Sequence, residues 1–127
     1  MESGAVLPAR VGRLDEVEVN DCGDLAVLYP RGYLNGPTGR EIEDACSDLI
    51  ARGQRRILIN FCHIETINTM GIANLVGLLE KVGRREAAVC FCNLLPANRH
   101  ILDALDISPA VLIFDTEEEA QGHLRSR

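Results

Sequence analysis

The chain has 127 residues, with 13 Lys plus Arg against 19 Asp plus Glu, for a net charge of −6. That length fits one domain able to bury a core without staples, and a composition 46% apolar and 25% charged is that of an ordinary globular domain. No apolar stretch approaches the roughly 18 residues of a membrane span, the start MESGAVLPARVGR has no secretory pattern, and the acidic balance argues against binding nucleic acid or an anionic membrane.

Residues 1–12 carry no periodicity and are expected to be a loose arm, leaving 13–127 as the domain. Alternation from Leu14 to Asn20 predicts a half-exposed edge strand. The turn signal Asp21-Cys22-Gly23-Asp24 then leads into a second strand, Leu25–Leu34, completing a hairpin. Pro30 cannot donate a ladder hydrogen bond and implies a bulge or a locally free edge. Thr38 and Glu41 have capping-box spacing. Ile42, Ala45, Cys46, Leu49 and Ile50 follow at helical spacing, with Gly53 suited to the C-terminal side. Arg52, Arg55 and Arg56 form the nearest thing to a basic cluster, which reads as a solvated helix-to-strand turn.

Arg56–Cys62 is a short apolar run typical of a strand buried on both faces. Thr69–Gly83 reads as a helix with Ile72, Leu75, Val76, Leu79 and Val82 on its buried face. Ala87–Leu94 is a second doubly buried strand. Pro96 opens another helix, with Ile101, Leu102 and Leu105 inward. Val111–Phe114 is a last strand, and Thr116 with Glu119 opens a C-terminal helix carrying Ala120 and Leu124. The expected order is β-β-α-β-α-β-α-β-α. It gives a single α/β domain: a mostly parallel central sheet with an antiparallel edge strand from an N-terminal hairpin, and helices packed on it.

No phosphate-binding loop, dinucleotide fingerprint or nucleophile elbow is present. Five cysteines, an odd number, suit a reducing cytoplasm. Cys90-x-Cys92 is the one close pair, and His63, His100 and His123 fall at no matching spacing, so no metal or other cofactor is expected. Cys62 and His63 are adjacent, but strand neighbours point to opposite faces and would not meet as a nucleophile pair. No catalytic residue is assigned.

One local arrangement stands out, Ile67-Asn68-Thr69-Met70-Gly71. It lies between a strand and an amphipathic helix, with Thr69 placed as the N-cap. A helix N-terminus has orphan N–H donors and a partial positive charge, and so accepts a phosphate. Little other positive charge is expected near Asn68 and Thr69.

In this order and spacing the motifs resemble those of the STAS domain, the family of bacterial anti-sigma factor antagonists, over Leu14 to Leu124. Gly32-Tyr33-Leu34-Asn35 is similar to the family's G-x-L-D turn. Arg56-Ile-Leu-Ile-Asn60-Phe61 is similar to its v-v-l-D-l strand. Ile67-Asn68-Thr69-Met70-Gly71-Ile72 stands where the family has i-D-S-S-G-l. Asn93-Leu94-Leu95-Pro96 and Leu105-Asp106-Ile107 fit its later turns. Asn35, Asn60 and Asn68 replace Asp. Thr-Met in place of Ser-Ser is similar to stressosome-type members.

The resemblance implies a cytoplasmic partner-switching regulator that is not an enzyme. It would bind an anti-sigma serine kinase and be phosphorylated at Thr69, with a phosphatase for reversal. Contacts would come from Ile64, Glu65, Asn68, Met70 and Asn74, in a loop over 63–68 and on the helix that follows. A phosphate at the centre of that surface would desolvate badly and repel an acidic partner patch. The expected protein is a monomer or weak homodimer. A non-switching scaffold, in a signalling complex or transporter system, is the other reading the resemblance allows, and the Asn68 substitution favours it.

Overall fold

The computed structural model describes residues 17–126. The arm expected over 1–12 and the start of the strand expected from Leu14 lie outside them. The strands are β1 (Val17–Asp21), β2 (Ala26–Leu34), β3 (Arg56–Asn60), β4 (His63–Ile67), β5 (Ala88–Cys92) and β6 (Leu112–Phe114). The helices are α1 (Gly36–Ala51), α2 (Thr69–Arg84), α3 (Pro96–Ala104) and α4 (Glu117–Arg125). A short 3₁₀ helix, Ser108–Ala110, precedes β6.

The sheet runs β1-β2-β3-β5-β6, antiparallel between β1 and β2 and parallel thereafter. β2 is the spine. Its first half pairs with β3 through Ala26–Leu28, and its second half pairs with β4 from Arg31 to Leu34. Pro30 falls in the gap between these two ladders, where its missing N–H costs no bond to either. The register shift comes just after it, between Gly32 and Tyr33. Gly32 has φ +85°, which a side chain would resist.

β4 is a strand where the sequence pattern led to a loop. β3 ends because Asn60 Oδ1 accepts the Cys62 N–H at 2.9 Å and Ile64 N–H turns back to Phe61 O at 3.0 Å. The chain then rejoins β2 as β4.

Alternation along the strands separates two apolar layers. Ala26, Leu28, Ile57, Ile59 and Phe91 face the main core under α1 and α2. Leu25, Val27, Leu58, Cys90 and Cys92 face a smaller cluster capped by Ala120 and Leu124 of α4. Both faces of the central strands are therefore covered, as their unbroken apolar runs predicted. Cys46, Cys90 and Cys92 are buried, and Cys22 and Cys62 are exposed. Burial pushes the thiols of Cys46 and Cys92 up to about 12.

α4 is mostly polar and is fastened by a carboxylate as well as by its apolar pair. Glu117, its first residue, accepts from the Tyr29 hydroxyl at 2.9 and 3.0 Å, from the Asn60 amide at 2.8 Å and from Gln121 at 2.8 Å. Burial first, and then the bond to this carboxylate, raise the Tyr29 hydroxyl well above its usual range.

Three helix expectations need correction. α1 starts at Gly36, not at a cap on Thr38, because Asn35 Oδ1 accepts the Thr38 N–H at 3.1 Å and Pro37 fits the first turn. α2 buries Gly71, Leu75, Leu78 and Val82, while Val76 is 39% exposed. Leu105 lies beyond the end of α3 and is 56% exposed. The five apolar residues expected to be buried in α1 are all buried, and Thr116 Oγ1 caps α4 by accepting from Glu119 N–H.

Candidate functional site

Two strand–Asn–helix units stand side by side. Leu34 and Ile67 are register partners at the ends of the parallel strands β2 and β4. The ladder continues one step further, through the Asn68 N–H to Leu34 O at 3.0 Å. Asn35 and Asn68 come next in each chain segment, and each is an N-cap. Asn35 accepts from Thr38, and Asn68 Oδ1 accepts from Gly71 N–H at 2.9 Å. The cap of α2 is thus Asn68, not Thr69, which is the first residue inside the helix. An amide oxygen caps as well as a hydroxyl and leaves the Thr69 side chain out of the capping bond.

α1 and α2 then run parallel in close contact. A Cβ on Gly36 would lie 3.5 Å from Met70 Cβ, and one on Gly39 only 2.6 Å from Asn74 Cβ. Glu43 bridges the pair, accepting from Asn74 Nδ2 at 3.1 Å and pairing with Lys81 Nζ at 3.3 Å. The two N-termini are consequently held together. Their first-turn N–H groups add partial positive charge at one edge of the molecule.

The side chains expected to form a surface separate into two groups. Glu65, Thr69 and Met70 are exposed, Met70 by 59%, and Asn68 is partly exposed. Ile64 is not on the surface. As part of β4 it points into the core with no exposure, and its carbonyl accepts from the buried Asn98 amide at 3.0 Å. Asn74 is half-buried like Asn68, with its amide donating to Glu43 across the seam between α1 and α2.

Residues the sequence pattern did not single out join this edge. Tyr33 is 50% exposed and registers with the exposed Thr66. A groove between the helix starts is lined by Asn35, Pro37, Arg40, Glu41, Asn68 and Met70. Arg40 there corrects the expectation of little positive charge near Asn68 and Thr69. No group of three or more His, Cys, Asp or Glu able to hold a metal occurs among the described residues. No described helix is long and apolar enough to cross a membrane.

The family model for the STAS domain matches residues 16–120. The chain belongs to the STAS domain family. No curated protein matches it in sequence. Several solved structures share the fold. A Thermotoga maritima protein assigned as an anti-sigma factor antagonist superposes with a TM-score of 0.78 at 18% identity, over 87% of this chain and 96% of that one. Bacillus SpoIIAA, an anti-sigma factor antagonist, gives 0.69 at 19% identity in its unphosphorylated form and 0.66 at 20% in its phosphorylated form, each over 87% of this chain and 99% of that one. A sulfate transporter family protein of Wolinella succinogenes gives 0.74 at 12% identity, over 82% and 87%.

Proposed function

We propose that this STAS domain is an anti-sigma factor antagonist that switches partners, binding an anti-sigma serine kinase and released by phosphorylation of Thr69. The observation that carries the reading is the placing of Thr69. Its side chain is exposed, free of the capping bond that Asn68 makes, and centred on an edge formed with Glu65, Asn68 and Met70. A fold neighbour, SpoIIAA, exists in phosphorylated and unphosphorylated forms, which supports the same control here. The domain works by being bound, needs no cofactor, and is read as cytoplasmic and monomeric or weakly dimeric.

In the transfer, Thr69 Oγ1 takes the terminal phosphoryl group of ATP held by the kinase, ADP leaves, and the hydroxyl proton passes to a base of the kinase. The product carries about −1.5 to −2 charge at the centre of the docking edge. A complete switch requires about 5.5 kcal/mol of differential binding. Burying an unpartnered phosphate under a kinase is a cost of that order.

The test is intact mass after incubation with ATP and an anti-sigma serine kinase of the source organism. The reading predicts one added phosphoryl group on the wild type and none on Thr69→Ala. An unmodified wild type, under conditions that modify another member of the family, would leave a non-switching scaffold as the function. The replacement of Asp by Asn68 is the feature that favours that second reading.

A further inference from the structure

Two helix-to-strand turns meet at the end of the molecule away from Thr69. One follows α1 and carries Arg52 and Arg55, and the other follows α2 and carries Arg84 and Arg85. The β3–β5 ladder sets them side by side, since the Ala88 N–H donates to Arg55 O at 2.8 Å. Along α2 this end lies about 22 Å from Thr69, at about 1.5 Å of rise per residue. Gly36, Gly39 and Gly77 mark the close approach of α1 and α2. Beyond Gly77 a groove opens between the helices. Its floor is apolar, through Ile50 and Val82, and its rim carries Ser47, Lys81, Arg84 and Arg85, all exposed. No carboxylate among the described residues lines it.

The carbonyl ends of helices favour cations, and this accounts for part of the charge. It does not account for all of it. Arg55 Nη1 already serves the end of α1, donating to Ile50 O at 2.9 Å, and Arg52 pairs with Asp48 at 3.1 Å. Lys81 pairs with Glu43 at 3.3 Å. Arg84 and Arg85 make no ion pair among the described residues. Other arginines also lack one, but these two line one groove beside a third cation. The end of α2 supplies about −0.5 of a charge against two guanidiniums, so positive charge is left over. It is left over in a chain whose net charge is −6.

That excess calls for an anion. With about 230 Å³ of open space, the groove is smaller than a usual small-molecule pocket and suits a side chain. A long polyanion would meet the acidic remainder of the molecule, whereas a short acidic stretch engages this end alone. We propose that the groove is a docking site for an acidic segment of a partner protein, with a carboxylate side chain entering between the helices to meet Arg84 and Arg85. A guanidinium matches both carboxylate oxygens with paired N–H donors. Ser47 offers a hydroxyl donor from the α1 side. The site is separate from the edge around Thr69 and does not rest on the reading of Thr69 as phosphoacceptor.

The test titrates the full chain into a short fluorescent peptide rich in Asp and Glu, read by anisotropy, with amide NMR shifts to locate it. Saturable binding that weakens as salt is added is expected. The shifts should fall at Ser47, Val82 and Arg85 and not at Thr69. The double reversal Arg84→Glu with Arg85→Glu should weaken binding about tenfold, the scale of two exposed ion pairs. Arg84→Gln with Arg85→Gln should weaken it less, and keeps the test readable where the reversal unfolds the chain. Arg31→Glu on β2, which changes net charge equally per residue, should have far less effect, and Thr69→Glu none. Equal affinity of wild type and both double variants, equal binding of a Lys- and Arg-rich peptide, or no saturable binding up to about 1 mM would overturn the proposal. Tighter binding of an oligothymidylate of equal charge would overturn it too, in favour of a nucleic-acid contact.

Discussion

Gly71 lies so close to Leu34 that a Cβ at residue 71 would fall 2.3 Å from the Leu34 carbonyl oxygen. The contact is backbone on both sides. It joins the end of β2 to the first turn of α2, and the same carbonyl accepts the Asn68 N–H. The glycine thus fixes where α2 starts relative to α1, and with it the position of Thr69.

Gly71→Ala should therefore be destabilising, by about 1–3 kcal/mol or more, since backbone cannot retreat as a flexible side chain does. Urea unfolding checks this through its midpoint. Gly122→Ala, where a Cβ meets nothing within 4 Å, is the control and should not lower stability.

Asn68 allows the capping bond to be separated from the charge. Asn68→Ala loses the acceptor for Gly71 N–H and should cost about 0.5–2 kcal/mol. Asn68→Asp keeps the acceptor and adds negative charge at a helix start, a gain of about 0.3–1 kcal/mol at low salt that fades as salt is added. Thermal melts of the three proteins at two ionic strengths decide this. Equal stability of the Asn, Ala and Asp forms would remove Asn68 as the cap.

Tyr29 gives an alkaline signature. Its hydroxyl ionises well above the usual value of 10.0 in the folded chain, because of burial and then its bond to Glu117. The unfolded tyrosine ionises first as pH rises. This contribution is thus complete below about pH 10 and is lost above it. Wild type should lose stability between pH 9 and 11 more steeply than Tyr29→Phe, as read from urea midpoints. Glu117→Ala leaves the Tyr29 hydroxyl and the Asn60 amide without this acceptor. It should cost about 1–3 kcal/mol at neutral pH.

Thiol labelling tests the two-layer core. Cys22 and Cys62 are exposed while Cys46, Cys90 and Cys92 are buried. An aromatic disulfide reagent should modify two thiols per native chain promptly and all five only in denaturant. Prompt reaction of Cys90 or Cys92 would mean that α4 does not stay on the sheet.

The architecture was legible because its strongest signals are apolar runs and helical spacing. Ile57–Ile59 and Cys90–Cys92 reported burial on both faces, and the α1 stripe reported its own orientation. β4 was hidden because His63, Glu65 and Thr66 are polar and its pairing is to β2 alone, far away in sequence. That omission carried into the site. A loop would expose Ile64, whereas a strand buries it. The tie of Asn74 to Glu43 was hidden for another reason: Gly39 lets α1 approach closely enough to pack against it. Asn35 and Asn68 were hidden as caps by their neighbours, a Gly-Pro turn signal after one and a hydroxyl residue after the other. Arg40 was not legible at all, since only the parallel pairing of α1 and α2 brings it beside Asn68.

The central claim is that Thr69 controls partner binding. Its most direct test is the affinity of the wild type, Thr69→Ala and Thr69→Glu for an anti-sigma serine kinase, measured by calorimetry in the presence of ADP. Wild type and Thr69→Ala should bind alike, and Thr69→Glu far more weakly. Equal affinity for all three would contradict the account.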